Sequence, residues 1–147
     1  MDTASIRVLV VDDYERWRRF YSTAFQKRPY MQVIGEASDG LEAVQKAQQL
    51  QPDLILLDIG LPSLNGIEAA LRIKEVSPGS RILFVSENSS QEIVERALST
   101  GAGGYIIKSD AAGELLPAVE AVLKGAHFVS PSLSVQSCAS GRKCFSL

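Results

Sequence analysis

Five polar side chains with complementary chemistry stand directly after short apolar runs of this sequence. Asp12 and Asp13 follow the first run, and Asp58 follows the third. Ser86 follows the fourth run and Lys108 the fifth. If the runs are parallel strands, their carboxyl ends meet at one edge of a sheet, where such folds place their sites. The sequence would then gather three carboxylates, one hydroxyl and one ammonium in a single site.

Three carboxylates in one pocket repel one another, and something must neutralise them. At about 5 Å and an effective dielectric near 20, each pair costs roughly 3 kcal/mol. One lysine is too little, so a divalent cation is the natural complement. Oxygen ligands favour a hard ion such as Mg²⁺, and the only histidine, His127, is not near the acids in sequence. A metal, a lysine and a hydroxyl around one more carboxylate suit phosphoryl transfer to that carboxylate, which gives an acyl phosphate.

Each of these residues also has an ordinary structural interpretation. Asp12 and Asp13 stand between a strand and a helix, where carboxylates often cap the helix. Asp58 and Ser86 are residue types that are common in turns. A lysine such as Lys108 is usually solvated on the surface. The functional interpretation therefore rests on the occurrence of all of them at successive strand ends.

The apolar runs have the length and composition of buried strands. They are short and rich in Val and Ile, and their nearly continuous apolar character is typical of strands covered on both faces. The five predicted strands are Ile6–Val11, Gln32–Gly35, Leu54–Leu57, Ile82–Val85 and Tyr105–Ile107.

A stretch with helical periodicity follows each predicted strand. In the first of them, Trp17, Phe20 and Phe25 share one apolar stripe, and we assign them to core packing. Capping-box pairs predict the starts of three later helices; these pairs are Asp39 with Glu42, Asn65 with Glu68, and Ser89 with Glu92. The alternation predicts an α/β fold: a single domain with a doubly wound, five-stranded parallel sheet of the flavodoxin-like type.

Composition excludes several other classes of protein. The chain has 147 residues, of which 46% are hydrophobic and 22% charged, as expected for one folded domain. Its 15 basic and 17 acidic residues give a net charge of −2, which is no electrostatic footprint for nucleic acid. No apolar run approaches the ~20 residues that cross a bilayer, and the N-terminus is not typical of a secretory signal. We therefore expect a cytoplasmic protein that binds neither nucleic acid nor membrane itself.

These motifs, in this order, resemble the receiver domain of two-component response regulators, the CheY-like family. The matching segments are Val10–Asp13, Leu57–Gly66, Val85–Ser86 and Gly101–Ser109, within a resemblance that runs from about Ile6 to Gly125. Residues 35–40 and 108–112 are similar to the NarL/FixJ subfamily in particular. Those proteins usually continue into a helix-turn-helix DNA-binding domain, for which residues 126–147 are too few.

The resemblance implies a role for each acidic residue. Asp58 would be the phosphoacceptor, phosphorylated by a histidine kinase, a phosphotransfer protein or a small phosphodonor. Asp13 would bind Mg²⁺ directly, Asp12 mainly through water, and Asp58 and the backbone carbonyl of Gly60 would complete the protein ligands. Lys108 would pair with a phosphoryl oxygen.

The resemblance also implies a switch. Ser86 would move to hydrogen-bond the phosphoryl group, and the ring of Tyr105 would turn inward into the space left behind. The face made by the predicted fourth helix, fifth strand and fifth helix would then dock a partner or a second copy of the chain. Such a domain is not an enzyme in the usual sense, because it catalyses only its own phosphorylation and dephosphorylation.

Three features depart from the usual receiver pattern. Glu87 stands where a small residue is common, and we expect its charge at the mouth of the pocket to slow phosphorylation. Pro117 lies inside the predicted last helix and predicts a kink or a late restart there. Residues 126–147 predict a partly ordered or disordered tail, or the start of a linker, in which Cys138 and Cys144 are free thiols.

Three functions follow from this interpretation. The first is a phosphorylation-controlled switch or relay formed by a receiver domain over residues 5–125 alone. The second is the receiver fragment of a longer DNA-binding regulator. The third is a haloacid-dehalogenase-like phosphatase, but that family separates its two aspartates by one residue, whereas Asp12 and Asp13 are adjacent.

Overall fold

The computed structural model describes residues 5–133, and strands and helices alternate through them as the sequence predicts. The strands are β1 (Ile6–Val11), β2 (Met31–Ala37), β3 (Leu54–Leu57), β4 (Arg81–Ser86), β5 (Gly104–Ile107) and β6 (Phe128–Val129). The helices are α1 (Glu15–Gln26), α2 (Gly40–Leu50), α3 (Gly66–Val76), α4 (Gln91–Leu98) and α5 (Ala111–Leu123), with a short 3₁₀ turn over Lys108–Asp110 before α5.

One parallel sheet holds these strands in the order β2-β1-β3-β4-β5-β6. The doubly wound fold with its five main parallel strands is confirmed, and β6 adds a short sixth strand beside β5. A two-residue strand is too short to give a recognisable apolar run. β1 and β3 are neighbours at the point where the winding of the chain reverses, which is where sheets of this kind bind ligands.

Both faces of the sheet are covered, which explains the unbroken apolar runs. Alternate side chains of β1 point to opposite faces, so that Val8 and Val10 pack with α1 and α5 while Leu9 and Val11 pack with α2, α3 and α4. Fully burying a side chain of this size contributes about 1.5–3 kcal/mol. The two apolar layers therefore hold the strands, and with them the strand ends, in a fixed register.

Side-chain caps set the starts of three helices. Asp39 and Asn65 accept hydrogen bonds from the backbone amides of Glu42 and Glu68, as the capping pairs predict. The cap of α4 is Ser90, which accepts from the amide of Ile93, and not Ser89 as the sequence pattern suggested. Two adjacent serines offer the same hydroxyl, so the spacing to a glutamate could not tell them apart.

The described structure continues past residue 125, where the sequence analysis ends the receiver domain. Ser130 is fully buried, its hydroxyl accepts from the amide of Ile107, and it donates to Glu114. Leu133 packs in the same apolar layer as Tyr105. Residues 126–133 are thus part of the fold, while the remainder of the predicted tail, with both cysteines, lies outside the described residues.

The helix α5 runs without interruption through Pro117, so the predicted late restart is wrong. Proline removes one backbone donor, but Ala118 and Val119, which follow it directly, are fully buried, and this packing holds the helix together. Among residues 5–133, no helix is both long enough and apolar enough to cross a membrane.

Candidate functional site

The strand register brings four chain segments to one edge of the sheet. Val11 pairs with Leu57, Leu57 pairs with Phe84, and Ser86 pairs with Ile107. The residues that follow β1, β3 and β5, together with the last residue of β4, are therefore neighbours. The predicted meeting of the polar strand-end residues is what the structure shows.

Three carboxylates cluster at this edge. Asp12, Asp13 and Asp58 each offer an oxygen within 4.8 Å of the others. Asp12 is fully buried, Asp58 is 7% exposed, and Asp13 is exposed to solvent. An all-oxygen set of this kind suits a hard divalent cation.

Lys108 is the cation of the cluster, and its side chain is only 3% exposed. Its Nζ lies 2.8 Å from Asp12 Oδ2 and donates a hydrogen bond of 3.1 Å to Asp58 Oδ2. Asp12 Oδ2 is buried, and its partner is this ammonium. One ammonium therefore faces three carboxylates, and this excess of negative charge is the observation that best fits a further cation at this site.

The pKa values of this pair reflect burial and charge together. Burial raises the pKa of Asp12, and the negative charge of Asp58 adds to the rise, while Lys108 and the amide of Tyr14 act against it. Burial alone would lower the pKa of Lys108, but the two carboxylates outweigh burial and raise it. Lys108 is therefore held as an ammonium by acids that it only partly neutralises.

The loop after β3 holds Asp58 in place. The backbone amide of Ile59 donates to Asp58 Oδ1 at 2.7 Å, which leaves Oδ2 for Lys108. The loop folds back so closely that a Cβ on Gly66 would lie 2.0 Å from the carbonyl oxygen of Asp58. The glycine that begins α3 is thus required for the backbone path around the acid.

Ser86 and Tyr105 are linked through one loop residue. Ser86 Oγ accepts from the amide of Asn88 at 3.1 Å, and Tyr105 Oη donates to the carbonyl of Asn88 at 2.6 Å. Tyr105 is fully buried. Burial raises the pKa of Tyr105 to about 12, against a lowering effect of Ser86.

An open cleft of about 380 Å³ lies over this edge. Six of the predicted site residues line it: Asp13, Asp58, Gly60, Ser86, Glu87 and Lys108. The two others lie deeper: Asp12 and Tyr105 are both fully buried.

Two aromatic residues near the start of α1, Tyr14 and Trp17, belong to the site but were not predicted from the sequence. The centroid of the Trp17 ring lies 4.8 Å from Lys108 Nζ, and that of Tyr14 lies 5.9 Å away. Tyr21, one turn beyond Trp17, has a pKa raised by burial and by the negative charges of Asp12 and Asp58. The periodicity of α1 correctly marked Trp17 as inward-facing, but no sequence signal indicates that its ring meets a charged group rather than the apolar core.

Comparisons with known proteins agree on one family. The family model described as the response regulator receiver domain matches residues 8–120. The response regulator GacA of Pseudomonas viridiflava is 32% identical over 131 residues, which are 89% of this chain and 61% of that protein. The response regulator protein VraR of Staphylococcus aureus is 34% identical and covers 90% of this chain and 63% of its own length.

A solved structure gives the same result for the fold. A two-component response regulator of the LuxR family from Aurantimonas sp. SI85-9A1 superposes with a TM-score of 0.86 at 33% identity. The match covers 94% of this chain and 98% of that one. The chain spans about three fifths of the length of the two curated relatives.

Proposed function

The chain belongs to the response regulator receiver domain family, and from this premise we propose that Asp58 accepts a phosphoryl group in a Mg²⁺-dependent reaction. One observation carries the assignment. Lys108 donates to Asp58 at the floor of an open cleft, while the buried Asp12 and the exposed Asp13 stand within 4.8 Å of the same acid. Asp58 is the acid that combines access from the cleft with a partner cation.

In the proposed step, one carboxylate oxygen of Asp58 attacks the phosphorus of the donor. A bond forms between that oxygen and phosphorus, and the donor bond to phosphorus breaks. With a phosphohistidine donor, the electron pair leaves with the imidazole nitrogen. The product on this chain is an acyl phosphate.

The chain's own residues orient the reacting carboxylate and offset the negative charge of this step. The amide of Ile59 fixes one oxygen of Asp58. Lys108 is placed to leave its contact with Asp58 for a phosphoryl oxygen, and the Ser86 hydroxyl lines the same cleft. Charge stabilisation and positioning account for most of the catalysis of phosphoryl transfer, so these groups suffice without a protein general base.

We assign the metal ligands to Asp12, Asp13, Asp58 and the backbone carbonyl of Gly60. When bound, Mg²⁺ would supply positive charge that offsets the carboxylates and the incoming phosphoryl oxygens. The excess of three carboxylates over one ammonium supports this assignment from the side of the protein. We take the role of Asp12 as mainly water-mediated, as the family resemblance implies.

Ser86 and Tyr105 form the proposed switch. Tyr105 is buried with its hydroxyl on the Asn88 carbonyl, and Ser86 accepts from the amide of the same residue. If the Ser86 hydroxyl turned from Asn88 to a phosphoryl group, its own contact with Asn88 would break. The contact of Tyr105 with the same residue would then change as well. We propose that this biases the α4-β5-α5 face, where a partner protein or a second copy of the chain would dock.

Glu87 is the proposed modulator of phosphorylation, because it lines the cleft beside Ser86. A carboxylate there repels an incoming anion. Comparison of beryllofluoride affinity between the wild type and Glu87→Ala tests this role. A tighter complex in the variant is expected, and equal affinities would remove the proposal.

The partner of this site is a histidine kinase or a phosphotransfer protein, and we expect the domain to act in the cytoplasm as a switch rather than as an enzyme on other substrates. The second candidate is the receiver part of a longer DNA-binding regulator, favoured by the greater length of the curated relatives. The haloacid-dehalogenase alternative is not retained, because the family match covers the whole site.

Intact-mass analysis after incubation with acetyl phosphate and Mg²⁺ tests the proposed function. We expect the mass of one phosphoryl group to be gained by the wild type and by Asp53→Asn, a matched control at the opposite end of β3. Asp58→Asn should gain nothing. A phosphorylated Asp58→Asn protein, or a wild type that stays unmodified and also fails to bind beryllofluoride, would contradict the proposal.

A further inference from the structure

Lys108 meets two kinds of neighbour in its buried position. Its Nζ lies 2.8 Å from Asp12 and 3.1 Å from Asp58. The same atom lies 4.8 Å from the centroid of the Trp17 ring. The ammonium is therefore held by charge from the strand ends and by an aromatic ring from α1.

The Trp17 ring is itself fixed. It packs edge-on against Phe20, with 5.4 Å between ring centroids, and 6.0 Å from Tyr21. The next residue, Arg18, ties α1 to the turn through a 2.7 Å hydrogen bond to the carbonyl of Asp12. The position of the ring thus depends on several contacts beyond Lys108.

A cation over an aromatic ring is most stabilised when water is excluded, and Trp is the best of the aromatic side chains. Lys108, with a side chain only 3% exposed, meets this condition. The long and flexible stem of a lysine otherwise leaves its ammonium free to reorient. When a phosphoryl group forms on Asp58, the carboxylate contact of Lys108 must change, but the uncharged ring stays the same.

We propose that Trp17 is a positioning residue for phosphoryl transfer, whose ring holds the Lys108 ammonium at the place where it meets a phosphoryl oxygen. This inference rests on the proposed function of Asp58. It assigns to α1 a part in the chemistry that the core-packing interpretation of Trp17 did not include.

Three variants separate positioning from packing. Trp17→Leu removes the ring, Trp17→Phe keeps a smaller one, and Phe25→Leu is a matched control that removes a buried aromatic side chain of the same apolar layer two turns further along α1. The rate of phosphorylation by acetyl phosphate is measured for each, with Mg²⁺ saturating. We expect Trp17→Leu to be about fivefold slower, Trp17→Phe to be intermediate, and Phe25→Leu to keep the wild-type rate.

The second readout is the ¹³C relaxation order parameter of the Lys108 Cε methylene in the unphosphorylated protein. A ring that holds the ammonium restricts the motion of this group, whereas a general loss of core packing would change it equally in the control variant. We expect the order parameter to fall in Trp17→Leu, to fall less in Trp17→Phe and to stay unchanged in Phe25→Leu.

The outcomes distinguish this inference from the proposed function. A Trp17→Leu protein with the wild-type rate, a Phe25→Leu protein that is equally slow, or a Lys108 order parameter that does not respond to Trp17→Leu would overturn the positioning role while Asp58 stays the acceptor. If the wild type is not phosphorylated and Asp58→Asn behaves identically, the proposed function fails instead, and the positioning role in that reaction fails with it.

Discussion

The segments after β1 and after β2 both place acidic residues near the start of the next helix at the same edge of the sheet, but the acids behave in opposite ways. After β2, Glu42 accepts a 2.8 Å hydrogen bond from the amide of Ser38 and pairs with Lys46 at 3.0 Å. The Ser38 amide, with help from Lys46, lowers the pKa of Glu42. After β1, burial raises the pKa of Asp12, despite Lys108.

The comparison shows what separates a satisfied acid from an incompletely neutralised one in this fold. The α2 turn supplies donors for its carboxylates and leaves them near water. The β1 turn buries Asp12 beside Asp58, and one ammonium serves both. Buried carboxylates that outnumber their cation have remaining capacity for a further cation. Each region has one lysine partner, which makes the comparison open to matched substitutions.

The largest expected effect on stability comes from removing Lys108, and removing Lys46 is its matched comparison. Lys108→Met leaves two buried carboxylates without their cation and should lower the free energy of unfolding by about 3 kcal/mol in Mg²⁺-free buffer at pH 7. Lys46→Met breaks a partly exposed pair and should change it by less than about 0.5 kcal/mol. Urea unfolding of both variants measures the difference. Equal losses would show that the two regions do not differ as described.

Mg²⁺ should stabilise the protein through the β1 turn alone. A ligand at a hundred times its dissociation constant raises the free energy of unfolding by about 2.7 kcal/mol. Thermal unfolding with and without Mg²⁺ should show this gain in the wild type and in Glu42→Gln, and little of it in Asp13→Asn. A gain of the same size in Asp13→Asn would argue against the assigned ligands.

The raised pKa of Asp12 should determine the direction in which the stability of the folded protein changes with pH. A raised pKa means that the folded state holds the Asp12 proton more tightly than the unfolded state does. Stability of the Mg²⁺-free protein therefore falls as pH rises from the ordinary aspartate value through the raised pKa. Asp12→Asn should remove this fall and gain on the order of 1 kcal/mol at pH 7. Urea unfolding across the pH range measures it, and a variant that is less stable at pH 7 would contradict the sign.

The smallest expected effect on stability is that of Glu42, and its pH dependence runs opposite to that of Asp12. A lowered pKa contributes stability above the ordinary glutamate value, and this contribution is lost as pH falls through the lowered pKa. Glu42→Gln should cost about 0.5 kcal/mol at pH 7 and nothing at a pH below the lowered pKa. The same urea series measures it, and a cost that persists in acid would assign the effect to packing rather than charge.

Much of this arrangement follows from sequence because it rests on local rules. Apolar runs fix the strands, parallel strands bring their ends together, and so Asp58 and Lys108 could be expected to meet although they are far apart in the chain. What escaped the sequence depends on tertiary contact. The choice of Ser90 over Ser89 as the cap, the ring of Trp17 over Lys108 and the pairing of β6 with β5 are each decided by which neighbour lies nearest in space.

The short strand β6 protects one margin of the sheet. β5 pairs with β4 on one side and with Phe128 and Val129 on the other, and Ser130 extends the contact through its amide to the carbonyl of Tyr105. An unpaired strand margin is a template on which other chains can add. Shortening the protein to residue 125 would uncover the backbone of β5, and the domain would then be prone to aggregate through this margin while the acidic cluster at the strand ends remained in place.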